Sequence, residues 1–149
     1  MNSQDIIRDL SALLSSDDHP ITTLANSAAF IFDTIPDLNW AGYYLYDGTE
    51  LYLGPFAGKP ACTKIPMGKG VCGTSAEKRE TIVVEDVHKF EGHIACDSAS
   101  NSEIVVPMIK KDGSLYGVLD IDSPSFNRFT DAEKNIFEAI RDTVIKVIE

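Results

Sequence analysis

Apolar residues recur three and four positions apart near both ends of the chain, which is the spacing of a helix with one buried face. The first such segment follows Ser3, a predicted N-cap, and a second runs from Pro20 to Pro36. A third follows residues 130–133, whose threonine and glutamate form a capping box. These patterns predict three helices with apolar faces buried in the core or in a subunit contact.

The middle of the chain has shorter apolar runs, typical of strands. Residues 47–50 (DGTE) separate two aromatic-rich runs and predict a β-hairpin. The predicted elements here are strands at 40–46, 51–56 and 81–84 and a short helix at 74–78. Residues 85–102 have little apolar periodicity, and we interpret them as an ordered lid over a pocket.

A second hairpin is predicted between strands at 103–109 and 115–121. The Asp112–Gly113 pair favours a two-residue turn of type I′. Counting back from this turn places Glu103 opposite Asp122, and opposite residues share one face of a sheet. The other face is apolar and suits packing against helices.

The same count places Asp120 opposite Val105, on the face that carries the other two acids. Three carboxylates in one place raise one another's pKa and require an ammonium group, a metal or a shared proton, unless they face water. Pro107 cannot donate to the ladder, so we expect a local edge or a bulge there. The pattern as a whole predicts an α+β fold, with a mixed, mainly antiparallel sheet and helices on one face.

Composition narrows the class of protein. The 149 residues suit a single domain, and 44% hydrophobic with 24% charged residues is typical of globular proteins. No apolar run reaches the roughly 20 residues of a membrane span, and no signal-peptide pattern is present, so we expect a cytoplasmic protein. A net charge of -10 argues against binding nucleic acid or an acidic membrane surface.

The three cysteines of the chain are the strongest chemical signal. An odd number in a chain expected to be cytoplasmic argues against a structural disulfide framework. Cys96 follows His93 in a short polar segment, which makes it a candidate thiolate nucleophile. Zinc binding by this pair, a cysteine hydrolase and inert thiols, above all at Cys72, remain alternatives.

Six motifs extend this interpretation to a known family. They are residues 54–62 (GPFAGKPAC), 65–73 (IPMGKGVCG), 86–88 (DVH), 92–97 (GHIACD), 102–107 (SEIVVP) and 117–124 (GVLDIDSP). The chain from Trp40 to Phe129 thereby resembles the free methionine-(R)-sulfoxide reductases, which are stand-alone GAF domains. The resemblance implies a single GAF domain over residues 1–149, with a mainly antiparallel central sheet of about six strands flanked by helices. It also implies a homodimer.

The resemblance implies a role for each motif residue. Cys96 matches the family's nucleophile, Cys62 its resolving cysteine, and Cys72 a third cysteine that can take part in disulfide exchange. The carboxylates that hold the substrate's ammonium and sulfoxide groups correspond to Glu103, Asp120 and Asp122. The aromatic residues around its methyl end correspond to Trp40 and Tyr44.

The expected reaction is the reduction of free L-methionine-(R)-sulfoxide. A carboxylic acid kept neutral by its neighbours, with Glu103 as candidate, protonates the sulfoxide oxygen, and the Cys96 thiolate attacks sulfur. The resulting sulfenic acid condenses with Cys62 to a disulfide, which a thioredoxin-type donor reduces. No metal, flavin or nucleotide is needed. The alternatives are a GAF module that senses a small molecule and a redox switch without turnover, but three thiols around a carboxylate pocket favour the enzyme.

Overall fold

Within residues 2–93 and 99–149, which the computed structural model describes, six strands form one sheet in the order β3-β2-β1-β6-β5-β4. Every pair of neighbouring strands in this order is antiparallel. The elements are α1 (Ser3–Leu13), α2 (Pro20–Thr34), β1 (Trp40–Tyr46), β2 (Glu50–Gly58), β3 (Lys64–Pro66), α3 (Gly70–Lys78), β4 (Ile82–Val84), a 3₁₀ turn (Val87–Lys89), β5 (Ser102–Ile109), β6 (Leu115–Ser123) and α4 (Asp131–Ile148). The α+β prediction with an antiparallel sheet is confirmed.

Helices cover both faces of the sheet. The predicted apolar face of the second hairpin packs against α1, α2 and α4, and residues such as Ile104 and Leu119 are fully buried there. The short helix α3 lies on the opposite face, where Val71 and Ala76 pack with Val105. The prediction of helices on one face alone is therefore wrong for α3, whose brevity gave no periodicity from which to assign a face.

The register of the second hairpin is as predicted, but the turn is not. The loop has three residues, because the Lys110 N–H donates to Ser114 O (2.9 Å) and Gly113, at φ +88°, occupies the left-handed position. A bulge next to Met108, which leaves Tyr116 unpaired, shifts the register by one residue. The two departures from the expected pairing cancel, so the far end of the hairpin pairs as the two-residue turn predicted.

Pro107 lies at a local edge, as expected. It pairs with Val118 on β6, but on its other side β4 extends only as far as the residue opposite Val105. The Pro107 carbonyl accepts a hydrogen bond from Arg141 Nη1 (2.9 Å). Proline is tolerated at such an edge, where no further strand needs its N–H.

The helix starts differ slightly from those predicted. Asn2, rather than Ser3, caps α1, because its side chain accepts from the Gln4 N–H (2.8 Å). In the capping box predicted at the start of α4, the N-cap Thr130 makes no side-chain bond to the backbone; its Oγ1 donates instead to Glu133 Oε2 (2.7 Å). Among the described helices, none is both long and apolar enough to span a bilayer.

Candidate active site

A pocket lies on the α3 side of the sheet. Its walls come from β1, the N-terminus of α3 and the ends of β5 and β6 where the acids lie. The residues that line it are Trp40, Tyr44, Ala61, Ile65, Gly70, Val71, Cys72, His93, Ser100, Glu103, Asp120 and Asp122. Six of the eight predicted site residues, namely the three acids, the two aromatic residues and Cys72, thus meet at one place.

The three carboxylates form the floor of this pocket. Glu103 pairs with Asp122 and Val105 pairs with Asp120, as the hairpin count predicted. Glu103 and Asp120 are only 7% and 5% exposed, so the alternative of three acids facing water is wrong for these two. The alternating pattern placed all three on one face, and α3 and the preceding loops bury that face.

Burial dominates the chemistry of these acids. It raises the pKa of Glu103 well above the usual value, and the neighbouring Asp120 and Asp122 add to the rise. Burial also raises the pKa of Asp120, although hydrogen bonds with Glu103 and Cys72 partly oppose this. The Oδ1 atom of Asp120 has no hydrogen-bond partner among the described residues. The pocket thus contains a carboxyl group whose raised pKa favours the protonated form and a buried oxygen that lacks a donor among the described residues.

Cys72 lies directly against the acids. It is a free thiol, 4% exposed, and one ligand atom from each of Cys72, Glu103 and Asp120 lies within 4.8 Å of the other two. Burial, followed by the repulsion of the carboxylates, raises the pKa of this thiol well above its usual value. Cys72 is therefore a poor nucleophile here. The three atoms are close enough to share a metal ion. The spacing of these residues in the sequence did not suggest this donor set. That the reaction needs no metal stays a prediction.

The described residues include one of the other two cysteines. Cys62 is disulfide-bonded, and its carbonyl accepts a hydrogen bond from Tyr44 Oη (2.8 Å). Cys96, the predicted nucleophile, lies outside the described residues, as does the centre of the predicted lid. The described residues on either side, His93 and Ser100, both line the pocket.

His93 and Ser100 each lie near a polar side chain. His93 Nε2 lies 3.8 Å from Glu103 Oε1, and burial, with a smaller effect of His88, lowers the pKa of this imidazole. Ser100 is buried and accepts a hydrogen bond from Asn39 Nδ2 (3.0 Å), while the Asn39 N–H donates to Asp122 O (3.0 Å). No sequence pattern pointed to Asn39, because its contacts join segments far apart in the chain.

An aromatic wall closes one side of the pocket. Trp40 stacks on Tyr44 with ring centroids 5.9 Å apart and on Phe56 at 5.1 Å, and the Trp40 indole donates to Lys59 O (3.1 Å). Gly42 permits this packing, because a Cβ there would lie 2.3 Å from Phe56 Cβ. Trp40 and Tyr44 were predicted to line the site; Phe56, which supports them, was not.

The comparisons with known proteins agree with this geometry. The GAF domain model matches residues 5–148. The chain is 51% identical to the free methionine-R-sulfoxide reductase of Escherichia coli over 130 residues, which are 87% of this chain and 78% of that protein. This chain belongs to the free methionine-(R)-sulfoxide reductase family of GAF domains. The enzyme class expected from the motifs, an oxidoreductase, is thereby confirmed.

Other members of this reductase family are similar in sequence and in structure. The Saccharomyces cerevisiae free methionine-R-sulfoxide reductase is 44% identical over 133 residues, which cover 85% of this chain and 74% of that protein. The structure of fRMsr of Staphylococcus aureus in complex with substrate superimposes with a TM-score of 0.93 at 47% identity, covering 99% of this chain and 96% of that one. The described fold is therefore that of the substrate-binding family members.

Proposed function

We propose that this protein reduces free L-methionine-(R)-sulfoxide to methionine. The observation that carries the proposal is the buried acid pair Glu103 and Asp120, which lies beside the aromatic wall of Trp40 and Tyr44 in one pocket. Methionine sulfoxide has the matching chemistry: a polar sulfoxide and an ammonium group for the acids, and a methyl group for the aromatic rings. Relatives at 51% and 44% identity carry the name of this activity.

Glu103 acts as the general acid in this proposal. A sulfoxide sulfur is a poor electrophile until its oxygen is protonated or strongly hydrogen-bonded. The raised pKa of Glu103 keeps a proton on a buried carboxyl group, where it can be donated to that oxygen. Asp120 and Asp122 maintain the raised pKa and bind the ammonium group.

Cys96 supplies the electrons for the first step. Its thiolate attacks the protonated sulfoxide sulfur and forms an S–S bond. The hydroxyl then moves from the substrate sulfur to the cysteine sulfur as the S–S bond and the substrate's S–O bond break, which leaves a sulfenic acid on Cys96 and methionine as the thioether. The thiol proton replaces the one that Glu103 gave up. Support comes from the position of Cys96 between His93 and Ser100, both of which line the pocket.

Cys62 resolves the sulfenic acid. Its thiolate attacks the Cys96 sulfur, a disulfide forms, and the hydroxyl leaves as water after taking up a proton. A thioredoxin-type protein then reduces the disulfide by thiol exchange. In support, Cys62 is disulfide-bonded and tied to the pocket through Tyr44, whereas Cys72 is a free thiol with a raised pKa.

We also propose that the protein forms a homodimer and acts in the cytoplasm. The large apolar side chains Leu13, Ile21 and Phe32 on α1 and α2 are 45%, 67% and 39% exposed, which suits a subunit contact. Light scattering of the purified chain gives the mass directly; a monomeric mass at micromolar concentration contradicts the dimer.

The experiment that tests the function measures methionine formed from methionine sulfoxide with dithiothreitol as reductant. The wild-type protein is expected to release methionine over many turnovers, and Cys96→Ser to release none above background, because a hydroxyl is a far weaker nucleophile. Cys72→Ser is the matched control and keeps most of the activity with this reductant. Binding of the sulfoxide without methionine release by the wild type would instead indicate a sensor.

A further inference from the structure

A thiol and two carboxyl groups converge at the floor of the pocket. One ligand atom from each of Cys72, Glu103 and Asp120 lies within 4.8 Å of the other two, and all three residues are buried. Cys72 comes from the third position of α3, and the acids come from the neighbouring strands β5 and β6. The donor atoms around a tetrahedral zinc ion are roughly 3.3–3.8 Å apart, because the bonds to the ion are about 2.0–2.3 Å long. Small rotations of these side chains therefore bring the three donors to one ion.

Hydrogen bonds already join the three groups. Asp120 shares one hydrogen bond with Cys72 and another with Glu103. A divalent cation can replace the protons of these two bonds, which then pass to solvent. The exchange leaves the net charge of the buried group unchanged, so it avoids the cost of burying an unbalanced charge.

A second, independent observation points to a cation at this place. Asp120 is 5% exposed, lines the pocket, and has an Oδ1 atom with no hydrogen-bond partner among the described residues. A buried carboxylate oxygen without a donor is costly, and coordination of a cation removes that cost. Because Asp120 lines the pocket, an ion that enters the pocket can reach this oxygen.

The donor atoms select the kind of ion. Mg²⁺ and Ca²⁺ require six or more oxygen ligands, whereas this set has one sulfur atom and two carboxyl groups. Zn²⁺ binds cysteine sulfur and carboxylate oxygen together, and three protein ligands leave its fourth position to water. His93 brings a nitrogen donor next to the set, since its Nε2 atom lies 3.8 Å from Glu103 Oε1. The set therefore suits Zn²⁺ and ions of similar chemistry, such as Co²⁺.

We propose that Cys72, Glu103 and Asp120 form a Zn²⁺ site through which the metal inhibits the protein. The bound ion occupies the carboxyl groups that the proposed function assigns to the substrate, so Zn²⁺ and methionine sulfoxide exclude each other. The inhibition rests on the proposed function, whereas binding of the ion does not. Zn²⁺ takes no part in the reaction, in which thiols supply the electrons.

The binding test uses the double variant Cys62→Ser/Cys96→Ser, in which Cys72 is the one remaining thiol of the chain. Co²⁺ is added without oxygen to detect a cobalt–thiolate bond, and calorimetry with Zn²⁺ gives the affinity. We expect a sulfur-to-cobalt charge-transfer band in the near ultraviolet. A further Cys72→Ser change should remove this band and weaken Zn²⁺ binding at least about tenfold. Absence of the band, or equal Zn²⁺ affinity with and without the Cys72 thiol, overturns the inference.

The carboxylate ligand is tested in the same double variant. Glu103→Gln is expected to weaken Zn²⁺ binding at least about tenfold, because an amide is a much poorer ligand than a carboxylate. Glu80→Gln, the same change at an exposed residue, is the matched control and should leave the affinity unchanged. Equal Zn²⁺ affinity in the two variants would place the ion on the acidic surface of the protein and overturn the inference.

Competition with the substrate tests the inhibition. L-methionine sulfoxide is titrated into the double variant, which does not turn over, with and without saturating Zn²⁺. We expect at least about tenfold weaker sulfoxide binding with Zn²⁺ and no change with Mg²⁺ at the same concentration. Zn²⁺ that binds without changing the sulfoxide affinity overturns the inhibition. Absence of sulfoxide binding under every condition contradicts the proposed function, while the cobalt band still decides whether the metal site exists.

Discussion

Glu103 on β5 and Asp122 on β6 lie directly opposite each other, and Glu103 is almost fully buried in that position. Like charges opposite each other destabilise a sheet, and burial of a carboxylate adds a further cost. Burial and the two aspartates raise the pKa of Glu103, which favours its neutral form and reduces this cost. The protein thus accepts a cost in stability at the place where a proton and a cation site are required.

Removing the titratable group at this position should stabilise the empty protein. Glu103→Gln is expected to raise the free energy of unfolding at neutral pH by on the order of 1 kcal/mol, or about 2–4 °C in Tm. Because the pKa of Glu103 is raised in the folded state, wild-type stability from this group falls as pH rises above about 4.5. The gain in stability of Glu103→Gln over the wild type should therefore shrink as the pH falls towards 4.5. Methionine formation by this variant should be lower than that of the wild type at every pH.

Thermal unfolding across this pH range measures the effect. Glu80→Gln, a change of the same chemistry at an exposed residue, is the control and should leave Tm nearly unchanged at each pH. A Glu103→Gln variant that is less stable than the wild type at neutral pH would show that the carboxylate is well paired in the folded protein.

Cys62→Ser should separate the two halves of the catalytic cycle. Without a resolving thiol, the sulfenic acid on Cys96 cannot become an intramolecular disulfide, so thioredoxin has no bond to reduce. A rapid-mixing assay is expected to give about one methionine per active site, followed by a stall. Unimpaired cycling with thioredoxin would make Cys72 the resolving cysteine, and Cys72→Ser in the same assay is the comparison.

Tyr44→Phe should slow only the second half of the catalytic cycle, in which the disulfide forms and is reduced. The variant keeps the ring that stacks on Trp40 but loses the hydrogen bond from Tyr44 Oη to the Cys62 carbonyl. We expect the thioredoxin-driven rate to fall about two- to tenfold, the worth of one hydrogen bond, while the first methionine forms at nearly the wild-type rate. Tyr46→Phe removes a comparable bond, to Gly48 O, at a half-buried residue that does not line the pocket, and should change neither rate.

Acetylation of the substrate's amino group tests the acid cluster from the ligand side. N-acetylmethionine sulfoxide has no ammonium group, so it leaves Asp120 and Asp122 without a cation, at a cost of about 1–3 kcal/mol or more. The specificity constant kcat/KM should fall at least about tenfold relative to the free amino acid. Equal values of kcat/KM for both substrates would mean that the carboxylates do not bind the amino group.

The sequence predicted the acids of this site better than its sulfur atoms. The alternation of β5 and β6 fixes which side chains share a face, so Glu103, Asp120 and Asp122 could be grouped from the pattern alone. The turn was mispredicted, and the pairing was still right because the three-residue loop and the bulge offset each other. A bulge depends on long-range packing and has no reliable local signal.

The contacts that sequence reasoning missed join distant segments. Cys72 lies against Glu103 because α3 crosses the sheet, and nothing in the spacing of these residues indicates that crossing. The same is true of Phe56 beneath Trp40 and of Asn39 beside Ser100. The motifs still identified the family, because a family resemblance depends on local runs of residues and not on contacts between distant segments.

The most direct test of the proposed function uses racemic sulfoxide. The wild-type protein is incubated to completion with L-methionine-(R,S)-sulfoxide and dithiothreitol, and methionine and both diastereomers are separated chromatographically. Methionine formation is expected to stop at about half of the substrate, with the S diastereomer left intact, because one chiral pocket positions one sulfoxide oxygen at Glu103. Absence of methionine, or consumption of the S diastereomer at the same rate, would contradict it.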